Sequence, residues 1–344
     1  TVSGTAITYG SEYVFNSGTT DITDIAVAFD PNTAGKFVLV FKDASDSNRA
    51  KAIVGTVSGT AISYGSTYTI NSGNSLYLTL AFDPINSNKF VVAYTDAGNS
   101  YVGTAIVGTI SGTVISVGSE SVFHDTSLTG GYSSNAYYIS LSFDPNTSGK
   151  FIITYQDYHD ATNYIERLGI GIVGTISGTA ISYGSKYGFT TYTTTDTSVA
   201  FDPNNANKFV VAYRDSSGDG AAKVGTISGT TISYGSEYEF ESSNANDITV
   251  AFDPNNDNNF VIGYSGSLGF GYIIVGVISS TTISFGTRTS LSIGNSSNKS
   301  ISFDPNTYGR FVFTYKAPSN GHGKAVICTN YLSERGNTPD FLNV

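Results

Sequence analysis

The chain has 344 residues and a formal net charge of −10, with 17 Lys and Arg against 27 Asp and Glu. Such an acidic chain is a poor binder of nucleic acid or of anionic membranes, and no apolar run approaches the length of a membrane span. A single cysteine, Cys328, excludes an intrachain disulfide. Tyr and Phe are abundant, Trp and Met are absent, and Gly, Ser, Thr and Asn dominate the polar residues. This composition favours strands and turns over helices.

One stretch recurs along the chain, and its clearest copy is S-V-A-F-D-P-N-N-A-N-K-F-V-V-A-Y at residues 198–213. Two apolar runs flank Asp202-Pro203-Asn204, in which Pro presets φ for a central turn position and Asp and Asn cap the local backbone. The stretch predicts a tight β-hairpin, with the aspartates as turn caps. Its Phe-Asp-Pro signature occurs six times, 51 to 61 residues apart, beginning at Phe29, Phe82, Phe143, Phe201, Phe252 and Phe303.

A second signature, G-T-[VI]-S-G-T-x-I-S-Y-G-S, alternates with the first at Gly55, Gly108, Gly174 and Gly225. A divergent copy begins at Gly276, and a truncated copy opens the chain at Thr1. This signature also predicts a hairpin, with a bulge at the glycine of Tyr-Gly-Ser.

Each repeat therefore holds four strands, a to d, predicted in the fourth repeat at about 197–201, 208–214, 222–228 and 231–240. Strand b is apolar on both faces, which is typical of a strand with sheets packed above and below it. Six such four-stranded antiparallel units predict an all-β fold, a six-bladed β-propeller.

The two ends of the chain predict how the propeller closes. The chain begins with a d strand at 5–15 and ends after a, b and c strands at 299–303, 310–315 and 323–329. A closed ring, in which the N-terminal outer strand completes the C-terminal blade, explains why a d strand comes first and is missing from the last repeat. It also removes exposed sheet edges. Residues 1–329 are thus predicted to form a single domain, and residues 330–344 a tail or linker.

The repeated V-A-F-D-P-N-x-x-x-K-F-V-V-A-Y and A-I-V-G-T-[VI]-S-G-T-x-I-S-Y-G-S units resemble those of virion structural and tail-fibre-like proteins of marine bacteriophages. The resemblance covers roughly residues 1–329. It implies an extracellular or virion-surface location and a role in adhesion or host recognition, and its motifs include no catalytic residue.

The strand order places the a–b and c–d turns at one end of each sheet and the b–c and d–a loops at the other. The first set is nearly constant and the second varies, which favours the second as a binding surface. The longest loops of that set, predicted at 124–136 and 157–168, both belong to the third repeat. Their candidate ligand-binding residues are His124, Asp125, Tyr132, Asp157, Tyr158, His159, Asp160, Tyr164 and Arg167.

Tyrosine rings with carboxylates suit carbohydrate, because the ring stacks on the apolar sugar face and the polar groups bond the hydroxyls. The alternative is a long, solvated loop whose tyrosines pack on their own strands. A metal site would use His124, Asp125, His159 and Asp160, but their spacing matches no known ligand pattern. We expect no cofactor.

The sequence thus predicts a non-enzymatic surface or virion adhesion module that binds a host-surface glycan or surface protein. The six arginines are scattered and no Trp is present, unlike sialidase propellers and Trp-based fucose lectins. One alternative is a structural spacer in a fibre, with neighbours contacting residues 330–344. The other is a polysaccharide-degrading enzyme using Asp157 with Glu166 or Asp125.

Overall fold

The structure, a computed structural model, describes residues 2–3, 6–17, 22–125, 133–161, 164–291, 297–317, 322–329, 331–332 and 339–340. The described part of the chain is almost entirely β-strand and turn, with two short 3₁₀-helices at Ala44–Asp46 and Ser267–Gly269 and no α-helix. The all-β class predicted from composition is confirmed. No helix among these residues is long and apolar enough to cross a bilayer.

The chain divides into two compact units, Tyr9–Gly188 and Val2–Thr8 with Phe189–Val344. Each unit contains three successive antiparallel sheets, numbered 1 to 3 and 4 to 6 in chain order, whose strands keep the letters a to d. Each of the six sheets contains one Phe-Asp-Pro signature at the end of its a strand. The hairpin repeat predicted from the sequence is therefore present.

In the first unit, the strands of sheet 1 are Ile22–Phe29, Lys36–Asp43, Arg49–Ser58 and Ala61–Tyr64. Strand Tyr68–Phe82 pairs first with sheet 1 and then serves as strand a of sheet 2, which continues with Lys89–Asp96, Val102–Ser111, Val114–Val117 and Ser121–His124. Sheet 3 consists of Ser133–Phe143, Lys150–Ala161, Tyr164–Ser177 and Ala180–Gly188.

In the second unit, sheet 4 consists of Thr195–Phe201, Lys208–Arg214, Gly220–Ser228, Thr231–Tyr234 and Tyr238–Glu241. Sheet 5 consists of Asn246–Phe252, Asn259–Ser265, Gly271–Ser279, Thr282–Phe285 and Thr289–Ser290, and sheet 6 of Ser297–Phe303, Arg310–Lys316 and Gly323–Thr329. Two short hairpins lie at the chain ends, Val2–Ser3 with Ala6–Ile7 and Tyr331–Leu332 with Pro339–Asp340.

Two strand predictions differ from the structure. The d strand is interrupted after Tyr234 in sheet 4, where Gly235 approaches the next c–d turn so closely that a Cβ would lie 2.5 Å from Thr281 O. The N-terminal d strand expected at 5–15 is reduced to Ala6–Ile7, although Phe15 further along still packs on Phe41 with ring centroids 5.2 Å apart.

The b strands form the core, as their two-sided apolar pattern predicts. In sheet 4, Phe209 through Tyr213 are all fully buried. Side chains from one sheet interdigitate with those of the next within each unit; for example, Val38 and Val40 of sheet 1 share a buried cluster with Leu80 and Phe82 of sheet 2. Burial on both faces supplies the main stabilisation of each pair of sheets.

The glycine of the G-T-[VI]-S signature is explained by the b strand beside it. A Cβ added at Gly225 would lie 2.0 Å from the Cζ atom of Phe209. The same ring contact occurs at Gly55, Gly108, Gly174 and Gly276. The two repeated signatures are therefore parts of one packing arrangement, in which the distal end of a phenylalanine ring occupies the space beside a glycine of the neighbouring strand.

The six repeated aspartates are turn caps, as predicted. Asp202 Oδ1 accepts the backbone N–H of Asn204 at 3.0 Å, and the other five make the same bond two residues on at 2.9 or 3.0 Å. The second carboxylate oxygen of Asp30 also accepts the N–H of Asn88 at 3.0 Å, which joins the turn of sheet 1 to that of sheet 2.

Candidate functional site

Sheet 3 has a long hairpin where the sequence predicts a loop at 157–168. Its b and c strands continue to Ala161 and from Tyr164, with cross-strand pairs along their whole length. The loop prediction was wrong because the segment alternates strand-favouring residues such as Tyr158 and Ile165 with polar ones, a pattern that extends a hairpin. As a result, Tyr158 lies directly opposite Arg167.

The nine predicted ligand-binding residues lie in different environments. His124 and Asp157 are buried, Asp125 is exposed, and Tyr158, His159 and Arg167 are partly buried. Tyr132 lies outside the described residues, as do the side chains of Asp160 and Tyr164, whose backbones belong to the hairpin.

His124 lies in a buried hydrogen-bond chain. Ser134 Oγ is 2.8 Å from His124 Nε2 and donates to Asp157 Oδ1 at 2.8 Å, while Lys186 Nζ is 3.1 Å from His124 Nδ1. Burial lowers the pKa of His124 to about 4, against the opposing attraction of Asp157. The neutral ring therefore accepts from Lys186 at Nδ1 and donates to Ser134 at Nε2.

The equivalent positions in other repeats show the structural role of this hydrogen-bond chain. The residue at the His124 position in the preceding sheet boundary is Asn71, whose Nδ2 donates to Asp96 Oδ1 at 3.0 Å. At the boundary of sheets 4 and 5 it is Glu241, which accepts from Tyr264 OH at 3.0 Å. Each of these residues ties the end of a d strand to the next b strand. His124, with 1% exposure, has the same tying role, and its burial argues against direct contact with a ligand.

Half-exposed aromatic side chains do gather at the same end of sheets 2 and 3. We call this group the tyrosine platform; its members are Tyr77, Tyr101, Tyr137, Tyr138 and Tyr158, with Arg167 beside them. Tyr101 is 40% exposed and the others are partly exposed. Tyr158 of the platform and the adjacent Arg167 are two of the residues predicted from the sequence.

The rings form a continuous cluster around Tyr137. The centroid of Tyr137 lies 5.6 Å from that of Tyr77, 5.7 Å from that of Tyr158 and 6.4 Å from that of Tyr101. The guanidinium carbon of Arg167 lies 5.1 Å from the ring centre of Tyr158. Ring separations of this size are typical of favourable aromatic contact, so the tyrosine platform is a preformed surface.

A repeated β-bulge aims two of the rings. Every a strand shifts register near its start, and one residue there has a left-handed backbone: Asp24, Tyr77, Tyr138, Asp196, Asp247 and Asn298. Bulges re-aim side chains, and Asp and Asn tolerate positive φ better than aromatic residues do. The two tyrosines, at φ 53° and 50°, keep that strain. The sequence signal for the platform was thus tyrosine at a position that is Asp or Asn in the other repeats.

In the second unit, the same bulge is occupied by charged and polar groups that bond one another. Asp247 donates its backbone N–H to Asp196 Oδ1 at 3.3 Å, and its own Oδ2 lies 3.6 Å from Lys299 Nζ. Burial raises the pKa of Asp196 and lowers that of Lys299. Among the described residues, no three His, Cys, Asp or Glu side chains converge as metal ligands.

No family model matches this chain, and no curated protein does. Solved structures do match. A Fusarium graminearum GH93 alpha-L-arabinofuranosidase, in complex with arabinobiose, is 12% identical, with 91% of this chain and 94% of that chain covered and a TM-score of 0.58. The six-bladed β-propeller lectin of Aleuria aurantia is 12% identical, with coverages of 93% and 94% and a TM-score of 0.55. The fold of this chain is a β-propeller.

The propeller likeness also includes a periplasmic gluconolactonase of Pseudomonas aeruginosa, at 9% identity, coverages of 93% and 87% and a TM-score of 0.57. A lectin, a glycosidase and a lactonase thus share the fold. At such low identity the likeness shows the fold alone, since propellers carry many unrelated functions.

Proposed function

We propose that this propeller is a non-enzymatic glycan-binding module, which presents the tyrosine platform to saccharides on a host surface. The observation that carries the proposal is the cluster of partly exposed rings on sheets 2 and 3. A tyrosine ring offers a rigid apolar face for the C–H side of a sugar and a hydroxyl for its polar edge. The phage resemblance extends the proposal to a virion or cell-surface adhesin outside the cell.

Two similar propellers support a saccharide ligand. The Aleuria aurantia lectin has been solved with alpha-methyl-L-fucoside and the Fusarium graminearum enzyme with arabinobiose. Both therefore hold a sugar on this fold. Because the present chain has no Trp, its stacking residues have to be Tyr or Phe, and most phenylalanines of the repeat are buried in the core.

A glycan-array screen of the purified chain, followed by titration of any ligand found, tests the proposal. We expect Tyr101→Ala and Tyr158→Ala to weaken binding by about tenfold or more, since stacking contacts are worth about 1 to 3 kcal/mol. The matched control is Tyr308→Ala, which removes a tyrosine that is 44% exposed in the second unit. Equal loss in the control, or no ligand from folded protein, would contradict the proposal.

Polysaccharide cleavage is the second candidate function. Asp157 is buried and bonded to Ser134, which argues against its predicted part in catalysis with Glu166 or Asp125. Asp196 and Asp247 are a second pair of neighbouring acidic residues, in which the Asp247 backbone N–H bonds Asp196 Oδ1 and burial raises the pKa of Asp196, as a general acid requires. Release of reducing ends that disappears in Asp196→Asn would favour the enzyme.

A spacer role in a fibre is the remaining alternative, with neighbours contacting residues 330–344. It predicts that Tyr158→Ala does not change the binding of the chain to any partner. Removal of residues 330–344 would then abolish assembly, whereas a glycan-binding module would keep its ligand.

We further propose that residues 1–329 form one six-bladed ring, in which the N-terminal strand completes the last blade. In support, Val2–Thr8 belongs to the same compact unit as sheet 6, and Phe15 packs on Phe41 as the d-strand Phe240 packs on Tyr264. Ring closure is the usual way in which propellers protect the edges of their sheets.

The exposed face of strand a in sheet 1 also supports closure. Ile25, Val27 and Phe29 are 55%, 57% and 56% exposed, whereas the equivalent Leu78, Leu80 and Phe82 of sheet 2 are 8% or less. An apolar row of this kind is normally covered. In a closed ring, the last blade would cover it.

Substitution of Val27 tests closure. In a ring, Val27→Asp buries a carboxylate and is expected to lower the free energy of unfolding by more than about 2 kcal/mol. Val114→Asp, at a site that is 64% exposed on sheet 2, is the control and should change it by less than about 0.5 kcal/mol. Equal stability of the two variants by urea unfolding would contradict closure.

A further inference from the structure

Arg167 and Arg214 differ from the other arginines that the structure describes: both have a buried Nε without a partner, but Arg214 already donates from Nη2 to Asn244 Oδ1. Arg49, Arg288 and Arg310 each form an ion pair with a carboxylate, those of Asp46, Glu241 and Asp304. Arg167 forms none with any carboxylate that the structure describes, and its Nε is buried without a hydrogen-bond partner there. The residue as a whole is only partly buried, so the guanidinium still has N–H groups that a ligand can reach.

The Tyr158 ring holds the guanidinium of Arg167 beside the platform. The guanidinium carbon lies over the ring, 5.1 Å from its centre. The fork of guanidinium N–H groups matches two oxygens of a carboxylate or a sulfate. Direct pairing of Tyr158 and Arg167 across the hairpin fixes this geometry on two strands rather than on a loop.

We propose that the tyrosine platform selects acidic saccharides, with Arg167 binding an oxyanion carried by the sugar that stacks on Tyr158. The oxyanion is a uronate carboxylate or a sulfate ester, which share this recognition chemistry. The inference rests on the proposed glycan-binding function and adds the ligand class. Non-specific attraction does not account for such a preference, because the chain has a net charge of −10 and repels polyanions at long range.

The test is calorimetric titration with matched saccharide pairs. The pairs are oligogalacturonate against its full methyl ester, and a sulfated galactan oligosaccharide against the same oligosaccharide without sulfate. The wild type is expected to bind at least one acidic member about tenfold more tightly than its neutral match. The arm that shows the preference identifies carboxylate or sulfate.

Variants at Arg167 separate this inference from the function on which it rests. Arg167→Gln is expected to remove the acidic preference, and Arg167→Lys to restore part of it as a point charge. Tyr137→Ala should weaken both members. The preference should also decrease as salt is raised.

Three results would overturn one or both of these proposals. If the wild type binds acidic and neutral members equally and Tyr137→Ala weakens both, the platform stands and the role of Arg167 is refuted. If neither member of any pair binds to folded protein, and the glycan array is also blank, the proposed function itself fails. Retention of a tenfold acidic preference in Arg167→Gln would likewise refute the role of Arg167.

Discussion

The two ends of the repeated sheets both keep a fixed backbone geometry, but they differ in how much the side chains at equivalent positions vary. At the a–b end, all six aspartates make the same bond to a turn N–H. At the other end, each of the six bulges has one residue with a left-handed backbone at the same position, and that residue is Asp or Asn in four sheets and Tyr in two. The first end is constrained by folding, and the second is free to change its chemistry.

The bulge position itself shows this most clearly. In sheets 4 and 5, the side chain of Asp196 accepts the backbone N–H of Asp247. In sheets 2 and 3, Tyr77 and Tyr138 approach with ring centroids 5.2 Å apart and remain partly exposed. The same bulge therefore serves as a tie between sheets 4 and 5 and as part of an aromatic surface on sheets 2 and 3. Substitutions at positions constrained by folding should therefore cost the most stability, and exchange of the bulge residue the least.

The glycine beneath the b-strand ring is expected to have the largest effect. Gly225→Ala places a Cβ 2.0 Å from the Phe209 ring, so the ring or strand has to move, at a cost of about 3 kcal/mol or more. The control in the same sheet is Gly229→Ala, which meets no atom within 4 Å and suffers only its positive φ of 62°, about 1 to 2 kcal/mol. Urea unfolding measures both. Equal losses would show that packing does not fix the signature.

The pH dependence of stability tests the structural role of His124. Its pKa in the folded protein, about 4, lies below the ordinary value of 6.5, so the unfolded chain takes up the proton first as pH falls. The free energy of unfolding should therefore decrease between pH 6.5 and 4, by about 2 to 3 kcal/mol, and be unaffected by this group above pH 7. The groups facing the ring are Asp157, Lys186, Asp125 and His159.

The control for this prediction is His124→Asn, which copies Asn71 of the equivalent boundary and does not titrate. Other carboxylates also titrate below pH 6.5, so the quantity to measure is the difference between wild type and variant in urea unfolding at pH 7 and pH 4.5. If that difference does not change with pH, the interpretation of His124 as a buried neutral ring is refuted.

The packing of Phe15 tests how far the repeat extends towards the N-terminus. Its ring lies 5.2 Å from Phe41 and 6.2 Å from Tyr64, so Phe15→Ala is expected to cost about 2 kcal/mol. Val14→Ala, at a residue that is 76% exposed, should cost less than about 0.5 kcal/mol. Thermal unfolding distinguishes them; equal midpoints would mean that Phe15 does not contribute a d-strand contact.

The fold was largely predictable from the sequence, and the candidate site only in part. Turn chemistry and two-sided apolar strands are local signals, so Asp202-Pro203-Asn204 and strand Lys208–Arg214 were located correctly. The burial of His124 was not predictable, because a residue type reveals nothing of the d-strand end on which it lies. Tyr77 and Tyr138 were missed because a bulge leaves no local pattern; only alignment of the six repeats reveals the substitution.

Exchange of the bulge residue is expected to change stability least and binding most. Tyr138→Asp gives sheet 3 the residue of sheets 4 and 5, and because Asp tolerates positive φ better, the free energy of unfolding should change by less than about 1 kcal/mol. Loss of the ring should weaken glycan binding about tenfold. Tyr138→Phe, which keeps the ring, is the control and should stay within about threefold. An unfolded Asp variant would show that the bulge does not accept both chemistries, and unchanged binding would remove Tyr138 from the contact surface.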